Sequence, residues 1–240
     1  MKFYSSLVFR VLFFSTLLIC LNQKGFGQMT GINYTFSQPA GSMTFNNSSP
    51  GSVQLIAGSA DDSLKSFNAS AVAGWAGFFY GGVWYPAATT VFYVSSNGWV
   101  SVRNTANPAD AAPPSSLPAN SLANNPYRIM APLWDDLKVH ANGLVTYKNT
   151  GASTTRVLVI EWRGMYWNNA GVDSAISFQV RIFDNNQSTL ANRNKIEFRY
   201  KRNSTSTYAV NAATASIGLS GFCSNDVYAF TSVAGAPSKT

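Results

Sequence analysis

The sequence predicts an all-β protein, a single antiparallel, jelly-roll-like β-sandwich, and three observations carry that reading. Strict two-residue alternation marks "SFQVRIF" and "KIEFRY". Phe178, Val180 and Ile182 fall on one face of the first, with Gln179 and Arg181 on the other. Ile196, Phe198 and Tyr200 point inward in the second, with Glu197 and Arg199 outward. Successive side chains of a strand point to opposite sides, so such alternation is the signature of a half-buried strand. The second observation is Asn97-Gly98 inside "VFYVSSNGWVSV" (91–102), a pair that accepts the positive φ angles of a tight hairpin turn. Third, beyond the first residues no segment sustains the i, i+3, i+4 spacing of an amphipathic helix, while Gly, Asn and Pro punctuate about ten short strand-like runs.

The chain opens with an export signal. Lys2 and Arg10 accompany the apolar run "VLFFSTLLICL", which is too short to span a bilayer, and small residues follow in "GFGQ". Cleavage between Gly27 and Gln28 satisfies the small-x-small rule through Gly25 and Gly27. The bulky Ile19 before Cys20 argues against a lipid anchor. The expected organisation is therefore a signal peptide at 1–27, one domain at 28–235 and a tail at 236–240. No transmembrane segment is expected in the mature chain.

The elements follow in order. "GWAGFFYGGVWY" (74–85) is an aromatic and glycine-rich stretch containing the short strand "GFFY". "NPADAAPPSSLPANSLANNPYR" (107–128) contains five prolines, which neither a helix nor a central strand accepts, so it reads as an ordered surface loop over a sheet. In "RIMAPLWDDLKV" (128–139), Pro132 is expected to end a strand and the two acids to form a turn. "KVHANG" reads as a further turn before the strand "GLVTYK". "RVLVIEW" (156–162) is apolar almost throughout, as a central strand covered on both faces would be. The polar loop "DNNQSTLANRN" joins "SFQVRIF" to "KIEFRY" as an antiparallel ribbon, and "ASIGL" and "VYAF" close the series.

Charge and cysteine content narrow the function. Of 17 Lys and Arg, three leave with the signal, so 14 face 10 acids in residues 28–240, a net of +4. The one basic run, "RYKRN", reads as a solvated strand end, and no nucleic-acid partner is expected. Cys223 alone remains in the mature chain, so no intrachain disulfide forms. The inventory for catalysis is thin. The sole histidine, His140, falls in an expected turn, and no nucleophile elbow, P-loop, H-E-x-x-H or paired C-x-x-C occurs.

The remaining acids are Asp61-Asp62, Asp135-Asp136, Glu161 and Glu197. A glycosidase holds two carboxyls roughly 5 to 10 Å apart across a sugar cleft. Adjacent strand residues point to opposite faces, so Asp135 and Asp136 cannot serve one site unless the chain turns there. Glu161, inside an apolar strand, is expected to be buried and hydrogen-bonded rather than catalytic. Calcium is the one metal considered, with Asp135 and Asp136 as its candidates, because hard cations take carboxylate oxygens. No EF-hand loop occurs, so the two acids are expected to be structural, bonding the N–H groups of a turn, and no cofactor is expected. The aromatics supply candidate contacts: Trp167, beside Asn168 and Asn169 in an apparent loop, is expected to be exposed, and Trp84 is the second choice.

Taken together, "GGVWY", "VFYVSSNGWVSV", "RIMAPLWDDL", "VLVIEWRGMYW", "ISFQVRIFD", "KIEFRY" and "SIGLSG" occur in an order that resembles the nidogen-like extracellular domain. The likeness is to the version at the N-termini of bacterial surface proteins exported by type IX secretion, and it spans residues 30–232. It implies a β-sandwich adhesion or interaction module without catalytic residues, in which "APLWDDL" is a hallmark of the fold. The expected partner is an extracellular protein or glycan, and the expected location is the cell surface or exterior, with the periplasm as the other compartment. The alternative is a carbohydrate-binding or glycoside-hydrolase-associated domain. Such surface proteins continue into repeats and a sorting domain, whereas this sequence stops at "GAPSKT". "DSL" and "DSA" match a short O-glycosylation sequence of the same bacteria.

Overall fold

The computed structural model describes residues 51–114, 117, 121–122, 127–167, 176–202, 215–221 and 227–231. The expected signal segment, the Gly27–Gln28 boundary, Asn168, Asn169 and Cys223 lie outside those residues. Among the described residues there are thirteen strands: β1 (Val53–Ile56), β2 (Leu64–Asn68), β3 (Gly77–Tyr80), β4 (Val83–Pro86), β5 (Thr90–Ser95), β6 (Trp99–Asn104), β7 (Ile129–Trp134), β8 (Leu137–Thr150), β9 (Val157–Trp167), β10 (Ile176–Phe183), β11 (Ile196–Arg202), β12 (Ser216–Ser220) and β13 (Val227–Thr231). They build a five-stranded sheet, β1-β8-β9-β10-β11, a six-stranded sheet, β13-β12-β7-β6-β5-β2, and the separate hairpin β3-β4.

The two large sheets face each other, and specific side chains join them. The inward row of β9 is Leu158, Ile160 and Trp162, all fully buried. From that row the Trp162 indole donates to the Ser95 carbonyl of β5 at 2.7 Å. Phe67 of β2 stacks on Tyr147 of β8 at 4.0 Å between ring centres, and the Tyr200 hydroxyl of β11 donates to the Pro132 carbonyl of β7 at 2.6 Å. Each large side chain removed from water here contributes about 1.5–3 kcal/mol. The predicted sandwich is therefore the observed one.

The strongest sequence signals land where expected. β5 and β6 pair antiparallel around Asn97-Gly98, with Ser95 opposite Trp99. β10 and β11 form the ribbon read from their alternation, with Phe178 opposite Tyr200 and Val180 opposite Phe198. β9 lies between β8 and β10 and is buried from Val157 to Trp162, which accounts for its nearly continuous apolar run. In the proline-rich insertion, Leu122 is fully buried and packs with Trp99, Ile129, Ala131 and Trp134, so the loop does cover a sheet.

Three local expectations are corrected. Pro132 does not end a strand: it sits inside β7, where the pairing with β12 shifts register between Ser216 and Gly218. A proline has no N–H to give a ladder, and a bulge in the partner removes the demand for one. His140 is not in a turn between strands but within β8, in an outpouching of Val139 to Leu144 that faces only Met165 to Arg163 on β9. Trp167 is the last residue of β9 rather than part of a loop, and it is half-buried.

Burial sets an alkaline limit on this fold. Tyr85 and Tyr200 both hold their protons well above the ordinary tyrosine value of 10.0. Burial is the cause in both; at Tyr85 the Arg128 charge opposes it and Asp110 adds to it. In the unfolded chain these phenols ionise near the ordinary value, so deprotonation favours unfolding once the pH passes it. The denaturation midpoint should hold steady up to about pH 9 and fall as the pH rises beyond about 10. Tyr200→Phe should flatten that decline, and an equal slope in the variant would assign the effect elsewhere.

Candidate functional site

Between β7 and β8 the chain turns at Asp135 and Asp136, and the two acids part company. Asp135 is buried, its Oδ1 accepts the Asp136 N–H at 3.0 Å, and its Oδ2 accepts the Trp167 indole N–H at 2.8 Å. Its carboxylate thus closes the turn and anchors the end of β9. Asp136 is exposed and points the other way.

Asn97 bolts the turn to its surroundings. Its backbone carbonyl accepts the Asp135 N–H at 3.3 Å, and its side-chain carbonyl accepts the Leu137 N–H at 3.1 Å. Its amide donates to Asp62 Oδ1 at 2.8 Å. One residue of the β5–β6 hairpin therefore ties together that hairpin, the double-Asp turn and the loop between β1 and β2. Asp135→Asn should lower stability by about 1.5–3 kcal/mol, because an amide group cannot accept at both ends and hydrogen bonds to a carboxylate are the stronger kind. Equal melting temperatures for variant and parent would remove Asp135 from this role.

Asp136 meets Asp61 and Asp62, and one ligand atom from each lies within 4.8 Å of the others. Lys138 stands 3.8 Å from Asp61 and offsets part of the repulsion. The trio offers a hard cation three oxygens, fewer than the six to eight that calcium takes, so carbonyls and water would have to complete the shell. The sequence candidates for calcium were Asp135 and Asp136. Asp136 alone of these joins the cluster, since Asp135 faces Trp167.

The other acids have different partners. Glu161 is buried and its Oε2 accepts the Gln179 amide at 2.6 Å. Asp110 and Arg128 form an enclosed ion pair at 2.5 Å, and Asp110 also accepts the Asn104 N–H at 2.9 Å. Asp184 accepts the N–H groups of Ala76 and Asn186, both at 2.9 Å, and so pins the β3–β4 hairpin to the end of β10. Glu197 is shared by Arg181, Arg199 and Lys195. Sequence reasoning missed Asn97, Asp110, Arg128 and Asp184. The signal for Arg128 was a lone cation directly before the apolar run of β7.

Of the aromatic stretch 74–85, Trp75, Phe78, Tyr80 and Tyr85 are core. Phe79 is 43% exposed and Trp84 half-buried, their rings tilted at 5.0 Å on the β3–β4 hairpin. Trp84 and Trp167 thus belong to different elements with different partners. His140 stands edge-on to Tyr166 at 6.3 Å. No helix among the described residues is long and apolar enough to cross a membrane.

Comparison with known families gives one match: the model of a family described as NIDO related covers residues 33–240. No curated protein and no solved structure matches the chain.

Proposed function

The chain belongs to the NIDO-related family, and on that footing we propose that it is an exported, non-catalytic adhesion or interaction module that holds a protein or glycan partner outside the cell. The support is where the enclosed carboxylates go. Glycoside hydrolysis asks for two carboxyls facing each other across an open cleft. Glu161 is instead buried against Gln179, Asp110 against Arg128, and Asp135 against Trp167. Asp184 holds two backbone N–H groups and Glu197 three cations. Each carboxylate stabilises a turn, a hairpin or a sheet face.

A second reading, a carbohydrate-binding or hydrolase-associated domain, draws on the half-open Phe79–Trp84 pair, since sugars stack on aromatic faces. Incubation of the purified full chain with a polysaccharide panel separates turnover from binding. We expect no reducing ends released above the protein-free control. Release that disappears in Glu161→Gln would overturn the non-catalytic reading. Glycan retention lost in Trp84→Ala, with melting unchanged, would favour the second reading.

A further inference from the structure

The outer face of the five-stranded sheet collects the charge excess of the chain. Leu158, Ile160 and Trp162 point into the sandwich, so their strand neighbours Val159, Glu161 and Arg163 point out. Register extends the outward rows across the sheet. Lys148, Val159, Arg181 and Glu197 form one row. Thr146, Glu161, Gln179 and Arg199 form the next. Arg163 on β9 and Lys201 on β11 lie beyond them, and Lys195 stands over the Phe183 ring at 5.0 Å at the opposite end.

Six cations thus share this face with two acids, a net of +4. Residues 28–240 carry 14 Lys and Arg against 10 acids, also +4, so the remaining eight cations and eight acids balance. The two acids do not quench the face. Glu161 lies buried beneath it, and a single oxygen of Glu197, Oε2, serves both Arg181 at 3.1 Å and Arg199 at 2.9 Å. The two guanidiniums crowd each other: burial and the Arg199 charge both push the Arg181 pKa down. An added anion would relieve that repulsion.

We propose that this face binds an acidic polysaccharide, one bearing carboxylate or sulfate groups along its chain. The proposal rests on the extracellular interaction reading and names the partner class and the surface. Cations two residues apart on a strand are about 6.8 Å apart, and neighbouring strands about 4.8 Å, so a polymer with repeated anions meets several at once. Arginine's planar fork suits carboxylate and sulfate oxygens. Single-stranded nucleic acid would want aromatic platforms, and the one ring on these rows, Phe183, lies beneath Lys195. An anionic membrane would want an apolar anchor. The exposed large apolar residues, Val53, Phe79 and Leu190, lie off these rows.

The test is binding of the purified full chain to immobilised polygalacturonate and dextran sulfate, with neutral dextran, a single-stranded oligonucleotide and phosphatidylserine vesicles as parallel arms. The variants are Arg199→Glu/Lys201→Glu and, on the other sheet, the exposed Lys65→Glu. We expect saturable, salt-sensitive binding to an acidic polysaccharide. The double variant should weaken it at least tenfold at unchanged melting temperature, and Lys65→Glu by less than twofold. Equal loss in both variants, retention on neither polyanion, or tighter binding to the oligonucleotide or vesicles would overturn the proposal. Attachment to cells that survives the double variant would overturn this face while leaving the interaction reading in place.

Discussion

Gly98→Ala should be among the most damaging single substitutions in the described chain, lowering stability by about 3 kcal/mol or more. Gly98 has φ +77°, a conformation that costs an L-residue roughly 1–2 kcal/mol. An added Cβ would also lie 1.9 Å from the backbone carbonyl oxygen of Leu133, which cannot swing aside as a side-chain end can. The hairpin tip would have to lift off β7, and with it would go the Leu133 N–H bond to the Gly98 carbonyl and the Asn97 contacts to the double-Asp turn. Gly81 supplies the control. Its φ is +55° but nothing lies within 4 Å of its added Cβ, so Gly81→Ala should cost only about 1 kcal/mol. Urea denaturation of both variants checks the contrast, and equal costs would show that backbone strain alone governs Gly98.

Asp110→Asn should destabilise by about 3–5 kcal/mol, because it strands Arg128 as a buried, uncompensated charge. Both side chains are nearly closed to solvent, 4% and 5% exposed, and the guanidinium also lies 5.5 Å over the Tyr85 ring. Burying a charge is tolerable only while its partner is present. Replacing both partners with apolar residues, Asp110→Leu with Arg128→Met, should therefore cost less than Asp110→Asn alone. Equilibrium unfolding of the three proteins decides it. A double variant worse than the single one would mean that the pair's other bonds, to Asn104 and Arg103, dominate.

These two positions mark what a one-dimensional reading can and cannot reach. Asn97-Gly98 was legible because the turn's chemistry is local, and β10 and β11 because alternation needs only neighbours. The double-Asp turn was legible as a turn, but its partners Asn97 and Trp167 lie 40 and 32 positions away, which no local pattern encodes. Asp110 was hidden because it sits in a proline-rich insertion, where polarity is normally a sign of solvent. His140 was misplaced because a wide outpouching within one strand carries the same polar residues as a turn between two. β1 and β2 were not anticipated: "VQLI" and "LKSFN" are short, and most of their side chains are open to solvent.

The same limit applies to the site. Glu161 inside an apolar strand advertised a buried acid correctly, and Gln179 directly opposite explains how it is tolerated. The cationic sheet face was invisible until register placed β8, β9, β10 and β11 side by side. Its six cations are scattered over 53 positions between Lys148 and Lys201.

The most direct measurement of the central claim is a binding isotherm of the fluorescently labelled full chain on intact cells and on an array of extracellular matrix proteins and glycans, with the captured partner recovered afterwards and its mass determined. Saturable binding to a partner recovered at unchanged mass is the predicted result. Absence of saturable binding, or a partner recovered in fragments, would contradict it.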